Sequence, residues 1–161
     1  MITLRESIDI AVPPGVVYAW LKRLDENFTK WNPKHEEFEK ISGGLAIGDT
    51  VRFCETVQGM TYNVRGTIVK DDADSSGFQI MFETSAGLGH IWFIGERIVS
   101  GCRFTHVEEF GKPDTVFGRI FNWLLFEVIA KKRANWQLIR EDMAEDNLCL
   151  KAILEAAAPN P

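Results

Sequence analysis

Residues 2–12 alternate strictly, with Ile2, Leu4, Glu6, Ile8, Ile10 and Val12 on one side, the period expected of a half-buried strand. Pro13-Pro14 ends that run, and Val16, Val17, Trp20, Leu21 and Leu24 then recur at helical spacing, which predicts a short helix over 14–24 opened by Pro14. Asp25 to Asn32 predicts a second short helix, stopped by Pro33, which disfavours helical geometry at the residue before it. Strand-like segments follow at about 36–42, 49–58, 61–71, 76–84, 88–98 and 101–111, separated by Gly, Asp and Ser turn signals such as Gly43-Gly44, Gly48-Asp49 and Ser75-Ser76-Gly77. The connections are short, so neighbouring strands are expected to pair as antiparallel hairpins.

The rest of the chain is helical in pattern. Asp114 is the expected N-cap. A helix running unbroken from there to Ala158 would be about 65 Å long, roughly twice the width of a small domain, so a break is expected near Gly118 or near Lys131-Lys132-Arg133. This leaves a main helix over 133–156 with Trp136, Ile139, Met143, Leu150 and Leu154 as its buried stripe. The α+β reading is therefore a curved antiparallel sheet of seven strands wrapped around a long C-terminal helix, with two short helices after the first strand. Residues 1–158 form one domain in this reading, and 159–161 a frayed tail.

Composition narrows the function classes. The chain has 161 residues, 45% of them hydrophobic, enough for a core and a cavity, and a formal charge of −5 that argues against a nucleic-acid surface. Cys54, Cys102 and Cys149 fit no metal-ligand spacing and leave one unpaired in any disulfide scheme, which suits a reducing compartment. The N-terminus lacks a signal-peptide pattern and no stretch approaches the ~20 apolar residues of a membrane span, so a cytoplasmic location is expected.

Strand parity selects the polar residues that face the interior. Glu55 shares a face with Val51, Phe53 and Val57; Tyr62 with Val64 and Ile68; His106 and Glu108 with Cys102, Phe104 and Phe110; and His90 and Trp92 run with Ile94. The expected ligand-binding set is Glu55, Tyr62, His90, Trp92, His106 and Glu108, roofed by Phe121, Trp123 or Trp136. Glu55, His106 and Tyr62 are its catalytic candidates, since a carboxyl group in an apolar cavity and an imidazole both titrate near neutrality. His35, between Lys34 and Glu36, reads as loop surface, although it too lies within reach of the set. The apolar run Ile120–Ile129 is either cavity wall or a homodimer contact.

The element order resembles the helix-grip fold of the START-like (SRPBCC) superfamily, with its birch-pollen-allergen-like proteins, lipid-transfer domains and bacterial polyketide cyclase/dehydrase-like proteins. The matching residues are Glu6 to Trp20, Trp31-Asn32-Pro33, Gly43-Gly44 with Ile47-Gly48-Asp49, and the Leu- and Glu-rich C-terminus. The resemblance implies a cavity that binds a small hydrophobic molecule, aromatic or polyketide-like. The alternatives it leaves are a cavity enzyme of the cyclase, dehydratase or hydrolase kind using Glu55 or His106 as general base, and a partner-binding module with a filled core. Trp31-Asn-Pro-Lys-His35 followed by Glu55 also loosely resembles the zinc-dependent diacetylphloroglucinol and phloretin hydrolases. Those enzymes draw a further His and Glu from the terminal helix, which here offers no histidine, only Asn135, Gln137, Glu141 and Asp142. The expectation is accordingly no cofactor, with zinc as the alternative.

Overall fold

Side-chain alternation and turn chemistry build the sheet in the expected order. The structure, a computed structural model, describes residues 1–57, 60–84, 87–112, 115–124, 126 and 136–157. Strand β1 (Ile2–Ile10) buries Leu4 and Ile10 on one face. Helix α1 (Pro14–Leu21) has Pro14 in its first turn and buries Val17 and Leu21; helix α2 (Leu24–Trp31) buries Leu24, Phe28 and Trp31 at spacings of four and three. Asn32 is extended ahead of Pro33, as the steric rule for a residue before proline requires. Strands β2 (His35–Lys40), β3 (Thr50–Val57), β4 (Met60–Ala73), β5 (Gly77–Thr84), β6 (Gly89–Ile98) and β7 (Gly101–Phe110) complete a seven-stranded sheet of order β1-β7-β6-β5-β4-β3-β2, antiparallel at every pairing.

Two irregularities shape the concave face. A register shift between Ile68 and Lys70 lets the longer strand β4 turn Asp71 opposite the buried Ile80, where Tyr18 Oη (2.8 Å) and Lys22 Nζ (2.6 Å) donate to its carboxylate. At Gly95 the Phe78 ring lies against the backbone: a Cβ there would stand 2.1 Å from it, so only glycine fits. Inside, Phe53, Phe82, Phe93, Phe104 and Trp31 form a continuous run of tilted and edge-on ring contacts.

The C-terminal region departs from expectation in its details. Helix α3 (Val116–Trp123) is capped by Thr115, whose Oγ1 accepts from the Gly118 amide (3.0 Å); Gly118 therefore lies inside a helix and does not break it. The expected cap Asp114 and the alternative break at Lys131–Arg133 lie outside the described residues. Helix α4 (Trp136–Ala157) lies across β1, tied to it by Arg140 to Glu6 (2.9 Å) and Lys151 to the Asp9 carbonyl (2.6 Å). Its buried stripe is Met143, Asp146, Asn147, Leu150 and Leu154, so two polar side chains enter the core in mid-helix. Among the described residues no helix is long and apolar enough to cross a membrane.

Candidate functional site

The register of the sheet assembles the site. His35 opens β2 opposite Glu55 of β3, and Glu55 in turn stands opposite Tyr62 of β4. A register shift between His35 and Glu37 breaks the alternation of β2, so His35 points inward although its sequence neighbours are charged. It is only 5% exposed, which corrects the reading of His35 as loop surface. Its ring stacks on Phe28 (centroids 4.1 Å, planes 6° apart) and meets the edge of Trp31.

Each group is held from behind. His35 Nδ1 lies 3.1 Å from the Phe28 carbonyl oxygen, a bond in which the imidazole must donate, so Nε2 faces the interior. There it stands 3.3 Å from Asp146 Oδ1 and 3.5 Å from Glu55 Oε2. Asp146 is oriented by Asn32, whose amide donates to Oδ1 (2.7 Å), and by Trp31, whose Nε1 donates to the Asp146 carbonyl (2.8 Å). The Trp31-Asn32-Pro33 string thus supplies an aromatic platform, an amide donor and a helix stop. From β7, His106 and Glu108 share the interior face, with His106 Nε2 3.4 Å from Glu108 Oε1; neither ring nitrogen of the buried His106 has a hydrogen-bond partner.

Two spaces that share Glu55, Val64, Ile91, Glu108 and Asp146 in their lining adjoin these groups. A cavity of about 340 Å³ between sheet and α4 is lined by Tyr62, Val64, Ile91, Phe110, Ile139 and Met143, and among its polar lining are Glu55, Arg65, His90, Glu108, Asp142 and Asp146. The second, of about 40 Å³, is lined by Phe28, Trp31, Phe53, Val64, Ile91 and Phe93 together with His35, Glu55, His106, Glu108 and Asp146. Burial, with the Glu108 carboxylate next, pushes the Glu55 carboxyl up from 4.5 to about 7. For His35 and His106 burial opposes protonation, but the carboxylates around them outweigh it and both are raised: chiefly Asp146 for His35 and Glu108 for His106.

The structure brings Glu55, Tyr62, His106 and Glu108 together on the concave face and separates the rest of the expected set. In β6 it is Ile91 and Phe93 that pair with Glu108 and His106; both parities of that strand are apolar, so alternation misassigned it. His90 and Trp92 instead reach Glu109, with His90 Nδ1 3.0 Å and Trp92 Nε1 3.4 Å from its Oε2; His90 still lines the cavity, as expected, whereas Trp92 does not. Phe121 and Trp123 do not roof the cavity: they are 37% and 62% exposed, because α3 turns inward its small and polar side, where Asn122 accepts from Lys112 N (2.7 Å) and donates to Lys112 O (2.9 Å). Trp136 packs on Phe110 and Phe126 beside the cavity and does not line it. Asp146 and Asn32 were absent from the expected set. The signal for Asp146 was the gap in the α4 stripe between Met143 and Leu150, which a residue at helical spacing had to fill.

No protein-family model and no curated protein matches the chain. Solved structures share its fold at low identity. A START superfamily protein from Mycobacterium smegmatis superposes with a TM-score of 0.67 at 11% identity over 97% of this chain and 99% of that one. The Zhui aromatase/cyclase from a Streptomyces species gives 0.62 at 14% identity, covering 96% and 93%. A Polyketide_cyc-like protein from Corynebacterium glutamicum gives 0.58 at 19% identity, covering 96% and 91%. The chain has the helix-grip fold of these START-like and polyketide cyclase-like proteins.

Proposed function

We propose that this helix-grip protein binds a small, largely apolar molecule, of the aromatic or polyketide-like class, between its sheet and α4. The observation that carries the reading is the cavity of about 340 Å³, mostly apolar in its lining with a few polar side chains, Glu55 and Tyr62 among them. Affinity would come from apolar burial, roughly 25 cal/mol per Å², offset by the cost of ordering the ligand. Tyr62 and Glu55, facing each other across the β3–β4 pairing, would orient its oxygen atoms. That one neighbour of the same fold is an aromatase/cyclase and another a START superfamily protein supports a cavity ligand of this class. A partner-binding module, the remaining alternative, would need no such cavity, and the cavity favours the ligand-binding reading over it.

The second reading is a cavity enzyme of the cyclase, dehydratase or hydrolase kind, favoured by the Glu55–His35 contact of 3.5 Å at the end of an apolar chamber. Glu55 is its general base, His106 the alternative base, and Tyr62 polarises a carbonyl. Native mass spectrometry against neutral aromatic ketones and polyketide-like phenols should retain one molecule per chain. The Glu55→Gln variant should keep that retention while losing any turnover. No retained molecule across the panel counts against both readings, and retention without turnover by the wild type counts against the second.

A further inference from the structure

Helix α3 packs the wrong way round for a surface helix. It presses Gly118 and Asn122 against its own domain, where the Asn122 side chain is fixed by its two bonds to the Lys112 backbone. At about 100° of turn per residue, the side opposite these two carries Val116, Phe117, Ile120, Phe121, Trp123 and, just past the helix, Leu124, an unbroken apolar arc of about 160°. All six side chains are exposed, Phe117 by 85% and Ile120 by 62%.

A helix of eight residues is not stable on propensity alone and draws its stability from burying its apolar face, yet α3 buries the other one. These exposures remove cavity wall as the role of Ile120, Phe121 and Leu124, so something outside the domain covers them. The three rings alone leave roughly 300–450 Å² uncovered, at ~150–250 Å² per aromatic side chain. With the three aliphatic side chains added, the patch passes the ~300–600 Å² of the largest on an ordinary monomer and approaches the ~800 Å² that each partner gives to a stable complex. Charge decides between a second copy and a bilayer. Arg119 is the one charged residue in α3, and the chain's formal charge of −5 is repelled by an anionic membrane surface. Aromatic, aliphatic and nearly free of charge, the stripe has instead the composition of an interface core. Two-fold pairing lets such a stripe meet its own complement without any other protein.

We infer that α3 is the core of an isologous interface through which two copies of this chain pair. Ile120, near the middle of the arc, lies closest to the two-fold axis, with Phe117, Phe121 and Leu124 to one side of it and Val116 and Trp123 to the other. The helix is anchored on Lys112, two residues past Phe110 of the cavity lining, but no residue of α3 belongs to that lining. The contact is therefore separate from the ligand chamber.

Sedimentation velocity of the tag-free protein over a micromolar dilution series should show an equilibrium between one chain and two, unchanged by added salt because no ion pair holds it. Phe117→Glu and Trp123→Glu alter exposed positions, so both should keep the circular dichroism of the wild type, and each should weaken pairing about 30-fold or more. Val99→Glu, on the exposed turn between β6 and β7, should pair like the wild type. A single chain throughout the series, assemblies larger than two, or wild-type pairing in either Phe117→Glu or Trp123→Glu would overturn the assignment. A single chain that co-sediments with phosphatidylcholine vesicles would do so too, and would mark the stripe as a membrane face. No cavity ligand enters the experiment, so its failure leaves the ligand-binding reading standing, and the reverse also holds.

Discussion

Trp31→Ala is expected to destabilise the protein by about 3–5 kcal/mol and to disorganise the site at the same time. The ring is 2% exposed at the centre of the aromatic run, meeting Trp20, Phe93 and Phe104 as well as the edge of His35. Its Nε1 also holds the Asp146 carbonyl of α4. Removing it opens a cavity beneath His35 and releases the helix that presents Asp146, so chemical denaturation and ligand binding should both suffer. Trp31→Phe restores most of the packing but not the N–H donor. Its denaturation midpoint should lie between those of the wild type and Trp31→Ala; a midpoint equal to that of Trp31→Ala would show that the hydrogen bond, not the packing, dominates.

The second large effect is on pH dependence, read with chelator present. Glu55 ionises near 7 in the folded protein against 4.5 when unfolded. Below 4.5 it is neutral in both states and costs nothing; between 4.5 and 7 the unfolded chain loses its proton first, so stability falls as pH rises, by up to about 3 kcal/mol. His35 and His106, both raised, act in the same direction at higher pH: their contribution is complete below their unfolded value of 6.5 and is lost as pH passes their folded values. Urea denaturation from pH 5 to 8 should therefore show declining stability in the wild type and a shallower decline in Glu55→Gln. A wild type whose stability is flat or rises over that range would contradict the burial of these groups.

How much of this was legible in the sequence depended on where alternation held. In β3 and β4 alternation places Glu55 and Tyr62 on one face; β7 is more mixed, with Thr105 and Val107 buried too, yet the parity of Cys102 and Phe104 still put His106 and Glu108 on the interior side. In β6 the run from His90 to Ile94 is apolar on both faces, and parity chose the wrong one. His35 was hidden by a register shift, because between Lys34 and Glu36 nothing local marks a residue whose burial is set by Phe28 and by a helix more than a hundred positions away. Asp146 was hidden for the complementary reason: a carboxylate on a helix reads as solvent-facing until its partners Asn32 and His35 are known. The element order, by contrast, rests on turn signals and periodicity that are local, and it is the order observed.

The cavity is the central claim, and filling it tests that claim most directly. Val64 lies on the apolar wall, opposite Phe53 in the sheet and half-buried, so Val64→Trp should occupy the chamber without entering the packed core. Fluorescence titration with the neutral probe N-phenyl-1-naphthylamine should show saturable binding of one molecule to the wild type and a loss of about tenfold or more in affinity for Val64→Trp. Equal affinity in the two proteins, or no saturable binding to the wild type, would contradict a ligand chamber between the sheet and α4.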